Sequence, residues 1–213
     1  MIKARSGVFL TFEGGERAGK STLIQGLQKA FQKASFSVLV TREPGGSSLG
    51  EKIREILLSP PGAETICPWA ELALFLASRA QHVEEILMPS LKEGKVILCD
   101  RFSDSSVAYQ GGARNLGMEK VESITQTFSQ NLTPDLTFYL DIDPKEAFQR
   151  KAGKKDRIEE EAISFHEKIR SSFLQLVKKH PERICLLDAS LPPSKLLEKA
   201  WEMVQKKLNL SKI

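Results

Sequence analysis

One stretch near the start, Gly14 to Ser21, limits what this chain can fold into more than any other. It runs Gly-Gly-Glu-Arg-Ala-Gly-Lys-Ser and fits the spacing G-x-x-x-x-G-K-[ST]. That spacing carries weight only in the right setting. Ahead of it, Val8 to Phe12 is a short apolar run of the kind that forms a buried strand. Behind it, Leu23, Ile24, Leu27, Phe31 and Ala34 recur at the spacing of one helix face. A strand, a glycine-rich turn and a helix start in this order build a cradle for an anion. Gly14 and Gly19 permit backbone shapes that a side chain blocks. Successive amides then turn inward and add to the positive end of the helix. Lys20 is placed to reach the β- and γ-phosphates of a nucleotide, and the Ser21 hydroxyl to sit on Mg²⁺. The stretch predicts a nucleoside triphosphate site; the plain alternative is a glycine-rich turn with a surface lysine.

Five apolar runs predict strands: Gly7–Phe12, Ser37–Thr41, Val96–Cys99, Leu136–Leu140 and Arg183–Leu187. Helical patterns separate them, which implies right-handed crossovers and a parallel sheet, an α/β fold. Each run ends at a polar residue: Glu13, Arg42, Asp100, Asp141 or Asp188. Ligands of open parallel sheets bind beyond the carboxyl ends of the strands. The strand ends and the glycine-rich loop therefore mark the same edge.

The segments between the strands add detail. Thr41 to Gly46 is a rigid turn, because Pro44 excludes helix at Glu43. Leu49–Leu58 reads as a short amphipathic helix. Trp69–Leu87 reads as a longer one, apolar nearly all round in its first half, so core burial and a subunit contact both suit it. Phe75 and Arg79 lie one turn apart on one face and could hold an aromatic base and an anion. Spacing alone favours a core phenylalanine with a surface arginine. Asp100, at a strand tip, is placed to serve Mg²⁺, and Arg101 beside it to neutralise a phosphate. The plain alternatives here are a helix N-cap for one of Ser103, Asp104 and Ser105 and a surface ion pair for the others, and Ser103 or Asp104 is expected to be no more than that. Asp143-Pro144 starts a helix. Arg150 to Arg157 carries five bases in eight residues around Gly153 and reads as a basic loop or lid. Helix is expected again over Glu159–Lys179 and from about Pro193 to Leu208.

At 213 residues the chain suits one domain, or one domain with a small mobile insert. Its net charge of +4 is dispersed, which favours ordinary surface over a nucleic-acid face. Cys67, Cys99 and Cys185 have no metal or redox spacing, and Cys99 and Cys185 are expected as buried free thiols. Neither a signal peptide nor a membrane span is apparent, so the expectation is a cytoplasmic protein without membrane or nucleic-acid partners.

Together these segments resemble thymidylate kinase, within the nucleoside monophosphate kinases. The resemblance rests on Phe12-Glu13-Gly14, Thr41 to Gly46, the Phe75 and Arg79 pair, Asp100-Arg101-Phe102, Ala108 to Gly112, Pro134-Asp135-Leu136 and Asp156 to Glu159. It implies a three-layer P-loop fold with strand order 2-3-1-4-5, a homodimer, Mg²⁺, and transfer of the ATP γ-phosphoryl group to dTMP. Gly14, Gly15, Glu16, Arg17, Ala18, Gly19, Lys20, Ser21 and Thr22 would hold ATP, with Asp188 and Ala189 by the adenine. Phe75 would stack on thymine, Arg79 would hold it by hydrogen bonding, and Ser106 and Gln110 would lie against it. Tyr109 would crowd the 2′ position, Glu16 would bind near the 3′-OH, and Arg42 and Arg101 would approach the dTMP phosphate. Ser21 and Asp100 would serve the metal. Arg150, Lys154, Lys155 and Arg157 would form the lid, and Lys20, Arg17, Arg150 and Arg101 would act on the transferring group.

The chain departs from either class of this family by carrying Arg17 in the loop together with a basic, shortened lid. Arg17, Arg150 and Arg157 are thus all candidates for the arginine at the transition state, with Arg17 and Arg150 preferred. A kinase for dUMP, UMP or CMP, a nucleotide switch and a nucleic-acid-stimulated ATPase are the other readings. The Asn-Lys-x-Asp sequence of guanine readers is not in the chain.

Overall fold

The computed structural model describes residues 7–59, 65–150 and 156–207. The five expected strands form one parallel sheet: β1 (Val8–Gly14), β2 (Val38–Arg42), β3 (Val96–Asp100), β4 (Leu136–Asp141) and β5 (Ile184–Asp188). Their order is β2-β3-β1-β4-β5. Each strand runs on to its polar end residue or beyond it. Phe12 pairs with Asp100, Glu13 with Tyr139, and Asp141 with Asp188. The apolar runs stop earlier than the ladder, because strand pairing uses backbone groups whatever the side chain.

Alternate residues of β1 serve opposite faces, as the two-residue pleat requires. Leu10 and Phe12 pack with Leu98 and Phe138 against α1 (Lys20–Lys33) and α9 (Pro193–Lys207), where Leu27, Phe31, Ala200 and Val204 are buried. Phe9, Thr11 and Glu13 alternate with them. Phe9 packs with Ile97, Phe102, Val83 and Leu87, and Tyr139 of β4 packs with Phe173 and Ile169 of α8 (Ile163–Lys179). Both faces are covered, which gives three layers.

α2 (Ser48–Leu57) starts at Ser47, whose hydroxyl accepts from the Gly50 amide. α3 (Pro68–His82) continues through one wide turn, Val83–Leu87, into α4 (Met88–Lys92). Pro89 has no N–H to give and would clash with the carbonyl four residues back, so the turn widens there. After β3 come a short α5 (Ser103–Ser106), a wide segment Val107–Ala113 and α6 (Met118–Phe128). The backbone of Phe102, not a polar side chain, begins α5. The surface roles expected nearby give way to buried ones: Asp104 forms a bidentate pair with Arg183, at 2.6 and 2.8 Å. Asp143 does cap α7 (Pro144–Gln149), accepting from the Lys145 amide.

α8 begins at Ile163 rather than Glu159. The Asp156 carboxylate satisfies the amides of Ile158 and Glu159 and closes a separate turn ahead of it. Cys99 is buried, Cys185 only half so, and both are free, as is the exposed Cys67. No helix among the described residues is long and apolar enough to cross a membrane.

Candidate active site

The loop between β1 and α1 has the geometry its spacing predicts. Gly14 sits at φ +144°, and a Cβ there would lie 2.7 Å from the Leu140 carbonyl oxygen. Gly19 precedes α1 at φ 96°, in the left-handed region open chiefly to glycine, and no side chain among the described residues caps the helix. The free amides and dipole end of α1 thus open into a cleft of about 750 Å³. Lys20 is buried, and its ammonium donates to the Gly15 carbonyl (2.9 Å) and the Gly14 carbonyl (3.3 Å). Burial and the nearby Arg101 pull its pKa down, against Asp100, Glu16 and Glu13. A lysine folded over the loop in this way carries the cation to where phosphate oxygens would sit.

Glu16, Arg17, Ala18, Ser21 and Thr22 line the same cleft, with Arg42, Asp100, Arg101, Arg150 and Ala189. Oδ1 of Asp100 is buried without a hydrogen-bond partner among the described residues. Such a group costs free energy unless something binds it. No set of three or more His, Cys, Asp or Glu side chains suited to a metal occurs among the described residues. Mg²⁺ does not need one, since it binds through one or two protein oxygens plus phosphates and water. The unpaired Asp100 oxygen and the Ser21 hydroxyl fit that demand.

A second pocket, of about 90 Å³, opens beside the first; Glu16, Glu43, Arg54 and Arg101 line both. Phe75, Arg79, Ser106, Tyr109 and Gln110 are brought together here from α3, the last residue of α5 and the wide segment after it. Arg79 is not a surface arginine: it is 1% exposed. It donates to Glu43 Oε2 (2.8 Å), Ser106 Oγ (3.0 Å) and the Phe102 carbonyl (3.0 Å). Glu43 also bonds Nδ1 of His82, whose Nε2 lies 2.8 Å from Thr41 Oγ1. The Glu43–Pro44 peptide is cis. Phe75 is half-buried and borders the pocket.

Arg101 stands between the pockets. It donates to Glu16 (2.6 Å) and the Gly14 carbonyl (2.9 Å), and lies over the Tyr109 ring at 5.0 Å. The Tyr109 hydroxyl donates to the same Glu16 oxygen, at 2.8 Å. Burial opposes a charge on Glu16, but Arg101, Lys20 and the tyrosine hydroxyl outweigh it and hold the carboxyl at about 2. Arg42 is half-exposed and donates to Glu51 at 2.8 Å.

The remaining arginines divide. Arg17, at φ 60°, donates to Glu159 (2.9 Å) and to the Phe148 carbonyl (3.2 Å). Arg150 donates to the Ala189 carbonyl at 2.6 Å, and weakly to the carbonyls of Arg17 and Ala18. Arg157 lies beside the second pocket, paired with Glu71 at 2.7 Å. Lys154 and Lys155 lie outside the described residues. Ala189 borders the main cleft, whereas the exposed Asp188 carboxylate accepts from the Ser190 amide and hydroxyl.

Sequence reasoning missed Arg54 and Glu43, which border both pockets, and Ser190 to Pro193, which border the first. Nothing in the helical pattern singles out Arg54, since a cation beside an apolar position is ordinary on an amphipathic helix. Arg54 donates to the Pro44 carbonyl, at 2.9 Å. Glu43 lies in the Thr41 to Gly46 motif, but its role was hidden, since its partners Arg79 and His82 come from α3.

The chain that forms this paired cleft has relatives among known proteins. The family model described as thymidylate kinase matches residues 12–200. The thymidylate kinase of Protochlamydia amoebophila is 45% identical over 216 aligned residues, covering 97% of this chain and 96% of that protein. That of Caldanaerobacter subterraneus subsp. tengcongensis is 46% identical over 200 residues, covering 92% and 95%. The crystal structure of thymidylate kinase from Ehrlichia chaffeensis superposes with a TM-score of 0.74 at 28% identity, covering 93% of this chain and 99% of that one. On the extent of these matches, the chain belongs to the thymidylate kinase family.

Proposed function

We propose that this chain transfers the γ-phosphoryl group of ATP to dTMP, releasing ADP and dTDP. The observation that carries the reading is the pair of joined pockets on one sheet edge, with Arg101 between them. ATP would lie over the loop and α1, its phosphates on the amides and Lys20, its adenine near Ala189 and Arg150. dTMP would enter the second pocket, thymine against Phe75 and within reach of Arg79, Ser106 and Gln110. Tyr109 and Glu16 would face its sugar, and Arg42 and Arg101 its phosphate. The buried Arg79 supports this placement, because its three fixed hydrogen bonds hold the guanidinium rigidly at the pocket wall.

The attacking dTMP oxygen is already anionic, so no general base is assigned. The barrier lies in bringing anions together and stabilising charge on the transferring group, which positioned cations do. Lys20, Arg101, Arg17 and Arg150 supply them here. When bound, Mg²⁺ would add neutralisation of phosphate charge; Ser21 and Asp100 would hold it.

We also propose a homodimer through α2 and α3. Leu49 and Ile56 on α2 and Trp69 on α3 are exposed, while Leu72 and Leu76 already serve the chain's own core. The three free thiols support a reducing, cytosolic setting. Mixing the protein with ATP, Mg²⁺ and dTMP tests the main reading directly. ADP and dTDP should appear in equal amounts, faster than with dUMP, UMP or CMP. No dTDP, or equal rates on all four, would overturn it.

A further inference from the structure

Glu13, at the end of β1, borders neither pocket, yet it is a completely buried carboxylate. Both of its oxygens are committed to one turn. Oε1 accepts from the Phe102 amide at 2.8 Å, and Oε2 accepts from the Ser105 hydroxyl at 2.5 Å. A third tie, from the Arg101 amide to the Phe12 carbonyl at 3.0 Å, fastens the same turn to the same strand end.

That turn carries Arg101 in an unfavourable shape. Arg101 has φ 71°, left-handed backbone that costs a residue with a side chain roughly 1–3 kcal/mol unless its surroundings impose it. Two of the three ties that impose it end on Glu13. The Ser105 hydroxyl held by Glu13 in turn faces Nη1 of Arg101, at 3.3 Å. The guanidinium is thereby aimed at Gly14, Glu16 and the junction of the pockets.

Stability alone gives no reason for a charge here. Burial first, and the neighbouring Asp104 second, push the Glu13 carboxyl up to about 7, so ionising it costs more in the folded chain than in the unfolded one. A neutral side chain of the same size would fill the space at less cost.

We propose that Glu13 is a positioning residue for phosphate recognition: through the Phe102 amide and the Ser105 hydroxyl it fixes Arg101 where the dTMP phosphate enters. The inference rests on the dTMP kinase reading above. It assigns Glu13 no contact with substrate and no proton transfer.

The test is a steady-state comparison of the intact chain with Glu13→Gln and Ser105→Ala, varying dTMP at saturating ATP and then the reverse. Glutamine keeps the volume but replaces one acceptor with a donor. The KM for dTMP should rise about tenfold in Glu13→Gln, the scale of a lost charge-assisted hydrogen bond. The KM for ATP should stay within about twofold, and the melting temperature should not fall. Ser105→Ala should raise the dTMP KM less, and the double variant no further than Glu13→Gln, because both act through one contact. Unchanged dTMP KM in Glu13→Gln would overturn the inference. So would equal losses for both substrates with a lowered melting temperature, the mark of a merely structural carboxylate. If Glu13→Gln does not fold, Ser105→Ala decides alone: a selective rise in dTMP KM supports the inference, no rise overturns it. Absence of dTMP turnover by the unaltered chain would overturn the underlying kinase reading as well, and so is distinguishable from failure of the Glu13 assignment.

Discussion

Arg17 Nη2 lies 2.9 Å from Glu159 Oε2, an ion pair joining the phosphate loop to the turn ahead of α8. The guanidinium also lies over the Phe148 ring, at 4.9 Å. In this arrangement Nη1 and Nη2 donate to protein groups, while the buried Nε has no partner among the described residues. To serve a transferring phosphoryl group through Nη2 it must exchange Glu159 for phosphate oxygens, a trade between two anions with little net charge cost.

Replacement of Arg17 by alanine should therefore spare binding and damage turnover. We expect kcat to fall by about three decades, on the scale of arginine fingers, with the dTMP KM within a few-fold. Steady-state kinetics on Arg17→Ala checks this. Retained turnover would hand the role to Arg150 or Arg101.

Phe75 borders the base pocket without being fully buried in the core. Phe75→Ala should weaken dTMP binding by about 1–3 kcal/mol, the usual worth of one base–aromatic stack. ATP binding should hold. Titration calorimetry with each nucleotide would reveal it, and equal dTMP affinity would return Phe75 to a packing role.

Glu71 is 1% exposed and gathers Gln110 (2.9 Å), Arg114 (3.2 Å) and Arg157 (2.7 Å). Truncation to alanine leaves two arginines without their shared partner. Breaking a buried pair in this way typically costs about 3–5 kcal/mol. Urea unfolding of Glu71→Ala should show a loss of that order, and a change below about 1 kcal/mol would show that water replaces the carboxylate.

Glu16 sets an acid limit. Its folded value, about 2, lies below the ordinary 4.5. The stability it contributes is thus complete above about pH 4.5 and is lost as the pH falls toward 2, by up to about 3 kcal/mol. In Glu16→Gln this part of the acid limb should be missing. Stability measured from pH 5 down to 2.5 would show it, and parallel curves for the two proteins would refute it.

Much of the site was legible because it is local. Gly14, Gly19, Lys20 and Ser21 are contiguous, and the backbone of one turn and one helix start creates their chemistry. The strands were legible because a parallel sheet covered on both faces demands continuous apolar runs. Their ends were placed short, since polar tips such as Arg42 and Asp188 still pair through the backbone ladder. Asp104 read only as a cap or a surface ion pair because its partner, Arg183, is far away in sequence.

The amino-acid order alone determined the phosphate cradle, the parallel sheet and the edge where ligands gather, for these follow from backbone sterics and hydrophobic period. Tertiary structure alone decided which charges meet: Arg79 with Glu43, Arg17 with Glu159, Arg157 with Glu71, and Glu13 with the Arg101 turn. A charged side chain looks the same in sequence whether it ends in water or in the interior. Only the packing of distant elements removes the water and forces each buried charge to find a partner.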